Sequence, residues 1–147
     1  MICSDINPYA VKLVKQNYSE NKSVLKGLID VRYGDLFSVI KKNENFDVII
    51  FNPPYLPIEK NDIIDKNDWI NLAIDGGIDG LNLTKRYIIK VNKYLRKKGR
   101  AYFVFSSLSN RDKLDKYINK TDLKAQIVLS RQYNDEKIDV YCMTLIN

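Results

Sequence analysis

The sequence predicts an α/β protein built on a mostly parallel sheet. Short β-branched or apolar runs alternate with helical patterns along the chain. Polar and turn-forming residues gather where the apolar runs stop. The last two runs are joined by a link too short to hold a crossover helix, which makes them an antiparallel hairpin.

Met1 to Ser4 reads as the tail of a strand ending at Asp5. Asn7 and Pro8 then supply an N-cap and a first-turn proline, and Ala10, Val14 and Tyr18 recur four apart on one helix face. Leu28 to Tyr33 forms a second strand closed by Gly34-Asp35, and Phe46 to Phe51 a third. Leu81, Thr84, Ile88, Val91 and Leu95 lie on one stripe of a helix whose basic C-terminal end runs up to Gly99. Arg100 to Phe105 is a strand opening into "SSLSN", and Asn110 to Asn119 a helix. Leu123 to Arg131 and Lys137 to Leu145, joined by "QYNDE", are the hairpin.

The chain has 147 residues, 45% hydrophobic and 29% charged, one domain's worth of sequence with enough apolar material for a real core. No apolar stretch is long enough to cross a bilayer, and "MICSDINP" lacks the regions of a signal peptide, so the cytoplasm is the expected compartment. Net charge is +6 and pI about 9.2. The excess lies on lysines spread over helix faces, a pattern of solvated surface that also suits work near RNA or an RNA-bound partner. The absence of histidine excludes Ser-His-Asp and Cys-His catalysis and any imidazole metal site. Cys3 and Cys142 stand outside CxxC spacing and read as small apolar residues.

In open α/β sheets, ligands bind outside the carboxyl ends of the strands. Asp5, Gly34-Asp35, Asn52 to Tyr55 and Ser106-Ser107 all fall at such ends. A carboxylate at Asp5 suits the vicinal hydroxyls of a ribose, although a solvated turn acid or a helix cap competing with Asn7 accounts for it equally. Gly34 permits a close approach to Asp35, whose side chain can accept from an adenine amino group; Gly-Asp is also a common turn.

Asn52-Pro53-Pro54-Tyr55 is more specific. The prolines remove two N–H donors and fix their own φ angles, and Asn52 is pushed toward extended backbone. Acceptors and a ring are thereby fixed at a strand end. A planar amide or aromatic amine is a poor nucleophile because its lone pair is delocalised. The Asn52 side-chain oxygen and the Pro53 carbonyl can accept both N–H protons and aim the lone pair, while Tyr55 stacks on the planar group. "DGGIDG", with Asp75, Gly76, Gly77 and Gly80, is read first as a plain loop, with a flexible wall or an anion-binding helix terminus as alternatives. The charged run from Glu59 to Asp68 is expected to be solvated.

With these residues in place, the chain resembles the HemK-like protein-(glutamine-N5) methyltransferases, and within them the archaeal and eukaryotic release-factor branch. The matching stretches are "SDINPYAVKLVKQN", "VRYGDLF", "FDVIIFNPPYLP", "AIDGGIDGL" and "YLRKKGRAYFVFSSLS". The resemblance implies a Rossmann-like class I S-adenosylmethionine-dependent methyltransferase fold. It implies Asp5 and Ile6 at the cofactor ribose, Asp35 and Leu36 at the adenine, and Asn52 bordering the cofactor. Asn52, Pro53, Pro54 and Tyr55 would hold the substrate amide, with Asn52, Pro53 and Tyr55 as the catalytic set and no metal. It implies methylation of the glutamine in the GGQ motif of a class I peptide release factor, and a small zinc-binding activator subunit as partner. Amino-methylation of adenine or guanine in nucleic acid is the alternative the same turn permits.

Family members carry a first strand and a glycine-rich cofactor loop ahead of the position of Met1. Residues 1–147 are therefore expected to form a single methyltransferase domain lacking that strand, with two strand edges exposed. Weak or absent cofactor binding by this chain alone, or a noncatalytic binding role, follows as a third reading.

Overall fold

The computed structural model describes residues 1–58 and 68–146, so most of the charged run from Glu59 lies outside the described residues. These residues fall into two compact units, Met1–Glu44 and Asn45–Asn147. No helix among the described residues is long and apolar enough to cross a membrane.

The first unit holds β1 (Ile2–Asp5), α1 (Pro8–Glu20) and β2 (Asp30–Tyr33). The two strands pair in parallel, from Ile2 opposite Asp30 to Asp5 opposite Tyr33. The helix starts where its sequence directs: the Asn7 side chain accepts from the amides of Tyr9 and Ala10, and Pro8 occupies the first turn. The expected row of Ala10, Val14 and Tyr18 is only partly covered, and the fully buried position is Val11. A two-stranded sheet shields a narrower stripe than the sequence pattern offers. The second strand begins at Asp30 and not at Leu28, whose side chain is 81% exposed. Beyond it, a 3-10 turn at Leu36–Val39 is tied down by Arg32, which donates to the Val39 carbonyl at 2.8 Å and to both oxygens of Glu44 at 2.7 Å.

The second unit holds β3 (Phe46–Phe51), α2 (Trp69–Ile74), α3 (Asn82–Val91), β4 (Leu95–Ser106), α4 (Arg111–Ile118), β5 (Leu123–Tyr133) and β6 (Glu136–Leu145). Its sheet runs β3-β4-β6-β5. The β3–β4 pair is parallel, and β6 is antiparallel to both β4 and β5. The hairpin turn is tighter than expected, because the strands run on to Tyr133 and Glu136 and leave Asn134 in the left-handed region at φ 44°. Asparagine tolerates that conformation better than most residues.

The long helix ends at Val91, followed by a 3-10 turn at Asn92–Tyr94, and Leu95 already belongs to β4, opposite Phe46. Strand pairing captures Leu95 before the basic run can continue the helix. Gly99 then lies against the Phe46 carbonyl, where a Cβ would stand 2.7 Å from the oxygen. Thr84, Ile88 and Val91 are buried as the stripe predicts, joined by Tyr87.

The core of this unit is centred on Leu81, Tyr87, Ile88, Val91, Phe103, Leu114 and Met143, each 1% exposed or less. Burial pushes the Tyr87 hydroxyl above its ordinary pKa. The Phe51 ring lies 4.9 Å from that of Tyr87, and Phe103 stacks on Tyr141 at the same spacing. The end of β3 is thus anchored in an aromatic layer immediately before Asn52.

Candidate active site

Each unit presents a cluster at the carboxyl ends of its parallel strands. In the first, β1 ends at Asp5 and β2 leads through Tyr33 to Gly34-Asp35. The Gly34 amide donates to the Asp5 carbonyl at 2.9 Å, which holds the two strand ends together. Gly34 cannot be replaced simply: its φ is +155° and a Cβ would stand 2.2 Å from Val39 Cγ1.

Asp5 is exposed, and one of its oxygens accepts from the Asn7 amide at 2.8 Å. The competing roles are therefore divided: Asn7 caps the helix while Asp5 braces Asn7. The other carboxylate oxygen remains as an acceptor beside Ile6. Asp35 precedes the 3-10 turn as its cap residue, with Leu36 in the left-handed region at φ 45°. A positive φ at a leucine is a costly conformation, of the kind found where surrounding structure fixes a functional turn. This chemistry suits a nucleoside, with a carboxylate for hydroxyls beside the aliphatic Ile6, and a second acidic residue for an amino group beside the aliphatic Leu36.

In the second unit Asn52 is exposed at the end of β3 and Pro53 is buried, with Pro54 and Tyr55 half-buried. The carboxamide is thus presented outward from a backbone fixed by Phe51 on one side and Pro53 on the other. The downstream half of the turn is held just as firmly. Leu56 donates to the Ile74 carbonyl at 3.2 Å, Gly76 to the Leu56 carbonyl at 2.9 Å, and Ile58 to the Gly77 carbonyl at 3.1 Å. Leu56 and Asp75 form a parallel bridge.

The "DGGIDG" segment is therefore no plain loop but the partner of the turn. Gly77 and Gly80 adopt φ of +76° and +71°. The Asp75 carboxylate accepts from the Gly77 amide at 2.8 Å, and the Asp79 carboxylate from the Leu81 amide at 3.1 Å. Asp79 also pairs with Lys113 at 2.9 Å. Burial acts to raise the Asp79 pKa, but the hydrogen bonds from Lys113 and Leu81 prevail and hold it below the ordinary carboxylate value.

Ser106 and Ser107, expected at the site, serve the hairpin instead. Ser106 Oγ donates to Glu136 at 2.6 Å, and Ser107 exchanges hydrogen bonds with the backbone of Lys137. The serine that reaches the turn is Ser109, which sequence reasoning passed over. Its hydroxyl donates to the Tyr55 carbonyl at 2.7 Å. Beside it opens a cleft of about 290 Å³ whose walls include Pro57, Ile78 and Leu108.

Residues 1–68 match the family model of the Methyltransferase small domain. A Methanocaldococcus jannaschii protein named "Putative protein N5-glutamine methyltransferase MJ0928" is 37% identical over 125 residues, covering 84% of this chain and 58% of the relative. Methyltransferase HEMK2 of Homo sapiens is 27% identical over 143 residues, covering 97% of this chain and 65% of its own. Among solved structures, the Mtq2-Trm112 complex of E. cuniculi, titled as responsible for methylation of the eRF1 translation termination factor, gives a TM-score of 0.60 at 19% identity. It is matched over 98% of this chain and 84% of that one. A methyltransferase from Pyrococcus furiosus gives 0.65 at 13% identity, over 99% and 62%.

Parallel strands with ligand-type residues at their carboxyl ends, in a chain with these structural neighbours, define a Rossmann-like class I methyltransferase fold. The chain spans 58% of the first of these relatives and 65% of the second. The curated relatives it matches include proteins named as protein N5-glutamine and release factor glutamine methyltransferases.

Proposed function

We propose that this chain is the catalytic portion of an S-adenosylmethionine-dependent N-methyltransferase acting on the GGQ glutamine of a class I peptide release factor, in the cytoplasm. The observation that carries the reading is the Asn52-Pro53-Pro54-Tyr55 turn, whose carboxamide is exposed while the backbone on both sides of it is fixed. The names of the relatives, protein-glutamine and release factor glutamine methyltransferases among them, support the same substrate.

In this reading the two units belong to one domain. Asp5 accepts from the cofactor ribose with Ile6 beside it, and Asp35 and Leu36 receive the adenine. The bound cofactor supplies an electrophilic methyl group on a sulfonium. The Asn52 side-chain oxygen and the Pro53 carbonyl accept the two hydrogens of the substrate amide, which stabilises positive charge developing on nitrogen. Tyr55 stacks on the amide plane, with Pro54 completing the wall, and holds the nitrogen in line. As the nitrogen–methyl bond forms, the sulfur–methyl bond breaks with its electron pair left on sulfur as a neutral thioether, and one N–H proton then passes to water. No metal and no covalent enzyme intermediate are needed. A small zinc-binding activator is the proposed partner; that the E. cuniculi structure is a complex of Mtq2 with Trm112 supports a partner subunit.

The net charge of +6 favours a second reading, amino-methylation of adenine or guanine in nucleic acid. Methyl transfer from labelled cofactor, offered a release factor and RNA in parallel, tests both. Label in the release-factor glutamine is the expected result. Label confined to RNA would replace the first reading with the second, and titration without cofactor uptake would leave a noncatalytic binding role.

A further inference from the structure

We infer that Ser109 is a positioning residue for the methyl-acceptor site, acting through the Tyr55 carbonyl; the inference rests on the functional reading of the Asn52–Tyr55 turn. The prolines fix the turn upstream, but nothing in their chemistry fixes Tyr55 itself. Its peptide plane is set from the other side. Ser109, 5% exposed, donates to the Tyr55 carbonyl at 2.7 Å. Gly80 closes on the same atom, since a Cβ there would stand 2.5 Å from the Tyr55 oxygen and 2.4 Å from Ser109 Oγ. Gly76 closes on the same peptide and the next, with a Cβ position 2.8 Å from the Tyr55 carbonyl carbon and 2.9 Å from the Leu56 oxygen. Two glycines and a hydroxyl therefore enclose one carbonyl. Removing the Ser109 hydroxyl therefore costs this carbonyl a hydrogen bond from a side chain that is held in place.

Ser109 is itself held. Its amide donates to the Ser106 carbonyl at 3.0 Å, and the next residue, Asn110, donates from its amide to the Asp79 carbonyl at 3.0 Å and caps α4 through its side chain. The ion pair of Lys113 with Asp79 adds a second tie between α4 and the glycine segment. The start of α4, residues 76–80 and the Tyr55 peptide thus form one rigid cluster. Rotation of the Tyr55 peptide would tilt the ring that the proposed chemistry needs flat against the amide, and small misalignments of reacting groups lower turnover steeply.

The test compares Ser109→Ala, Ser109→Cys and Ser109→Thr in the full chain by hydrogen exchange and by methyl transfer to a release factor. Alanine and cysteine, which lack a strong donor, should speed exchange of the Leu56 and Gly76 amides about tenfold while the β4–β6 ladder stays protected. They should lower kcat by about tenfold with little change in KM for the release factor, and threonine should restore both readouts. Unchanged exchange at Leu56 and Gly76 in Ser109→Ala overturns the inference. So does faster exchange with an unaltered kcat. A wild-type chain that methylates no release factor overturns the functional reading instead, and the exchange arm still decides whether Ser109 holds the Tyr55 peptide.

Discussion

Gly80 lies so close to the Tyr55 carbonyl that a Cβ at that position would stand 2.5 Å from its oxygen. Its backbone is also in the left-handed region, at φ +71°. Both facts oppose any side chain there. Gly80→Ala should destabilise the second unit by about 2–4 kcal/mol, combining left-handed strain of about 1 kcal/mol with displacement of backbone atoms. Urea unfolding of wild type and variant measures the loss. Gly27, whose φ is +104° but which has nothing within 4 Å, provides the comparison. Gly27→Ala should cost only the conformational part.

Acid stability of the first unit should depend on Glu44. Hydrogen bonds from the Arg32 guanidinium, then from the Lys41 amide, lower its pKa from 4.5 to about 2. The unfolded chain therefore takes up this proton at a higher pH than the folded one does. The carboxylate's contribution is complete above about pH 4.5 and is lost as the pH falls toward 2. Thermal unfolding followed between about pH 6 and pH 2 should show a steeper acid decline for wild type than for Glu44→Gln. Parallel curves would mean that Arg32 and Glu44 are equally paired in the unfolded chain.

Edge chemistry on β3 leads to a third expectation. Among the described residues this strand is hydrogen-bonded along one edge only, to β4. Val48 is 54% and Ile50 78% exposed on the same strand face. An edge with apolar side chains and neither proline nor lysine within it is a template for pairing with other chains. Ile50→Lys should lower the light scattering of concentrated samples while changing unfolding free energy by no more than about 0.5 kcal/mol. Undiminished scattering would move the self-associating surface elsewhere.

Local chemistry makes part of this fold readable in the sequence alone. Asn7-Pro8 marks the start of a helix, Phe46–Phe51 a short strand, and the short link before Lys137 an antiparallel hairpin, and the structure has all three. The end of α3 was not readable, because nothing in Asn92–Leu95 stops a helix; pairing of Leu95 with Phe46, distant in sequence, does. Choosing among Ser106, Ser107 and Ser109 likewise needed the path of the chain into α4. The sequence of Gly76 and Gly80 suggests a plain loop, whereas their use is to admit another backbone. Sequence marks such a glycine but not the neighbour it makes room for.

Asn52 provides the most direct test of the proposed chemistry. Its carboxamide is exposed at the end of an anchored strand, so Asn52→Ala removes an acceptor without opening a cavity in the core. Stability should change by less than about 1 kcal/mol. In the proposed mechanism the carboxamide oxygen acts on charge that develops on the substrate nitrogen, and loss of one preorganised group of this type lowers kcat by about 10²–10³-fold. Cofactor affinity should be spared, because the nucleoside is assigned to Asp5 and Asp35. Asp5→Ala should show the reverse pattern, with weaker cofactor binding and a kcat that recovers at saturating cofactor. Calorimetric titration and methyl-transfer rates on the two variants separate these outcomes. If Asn52→Ala retained full turnover, the turn would hold no reacting nitrogen; if it lost cofactor and turnover together, Asn52 would belong to the nucleoside pocket.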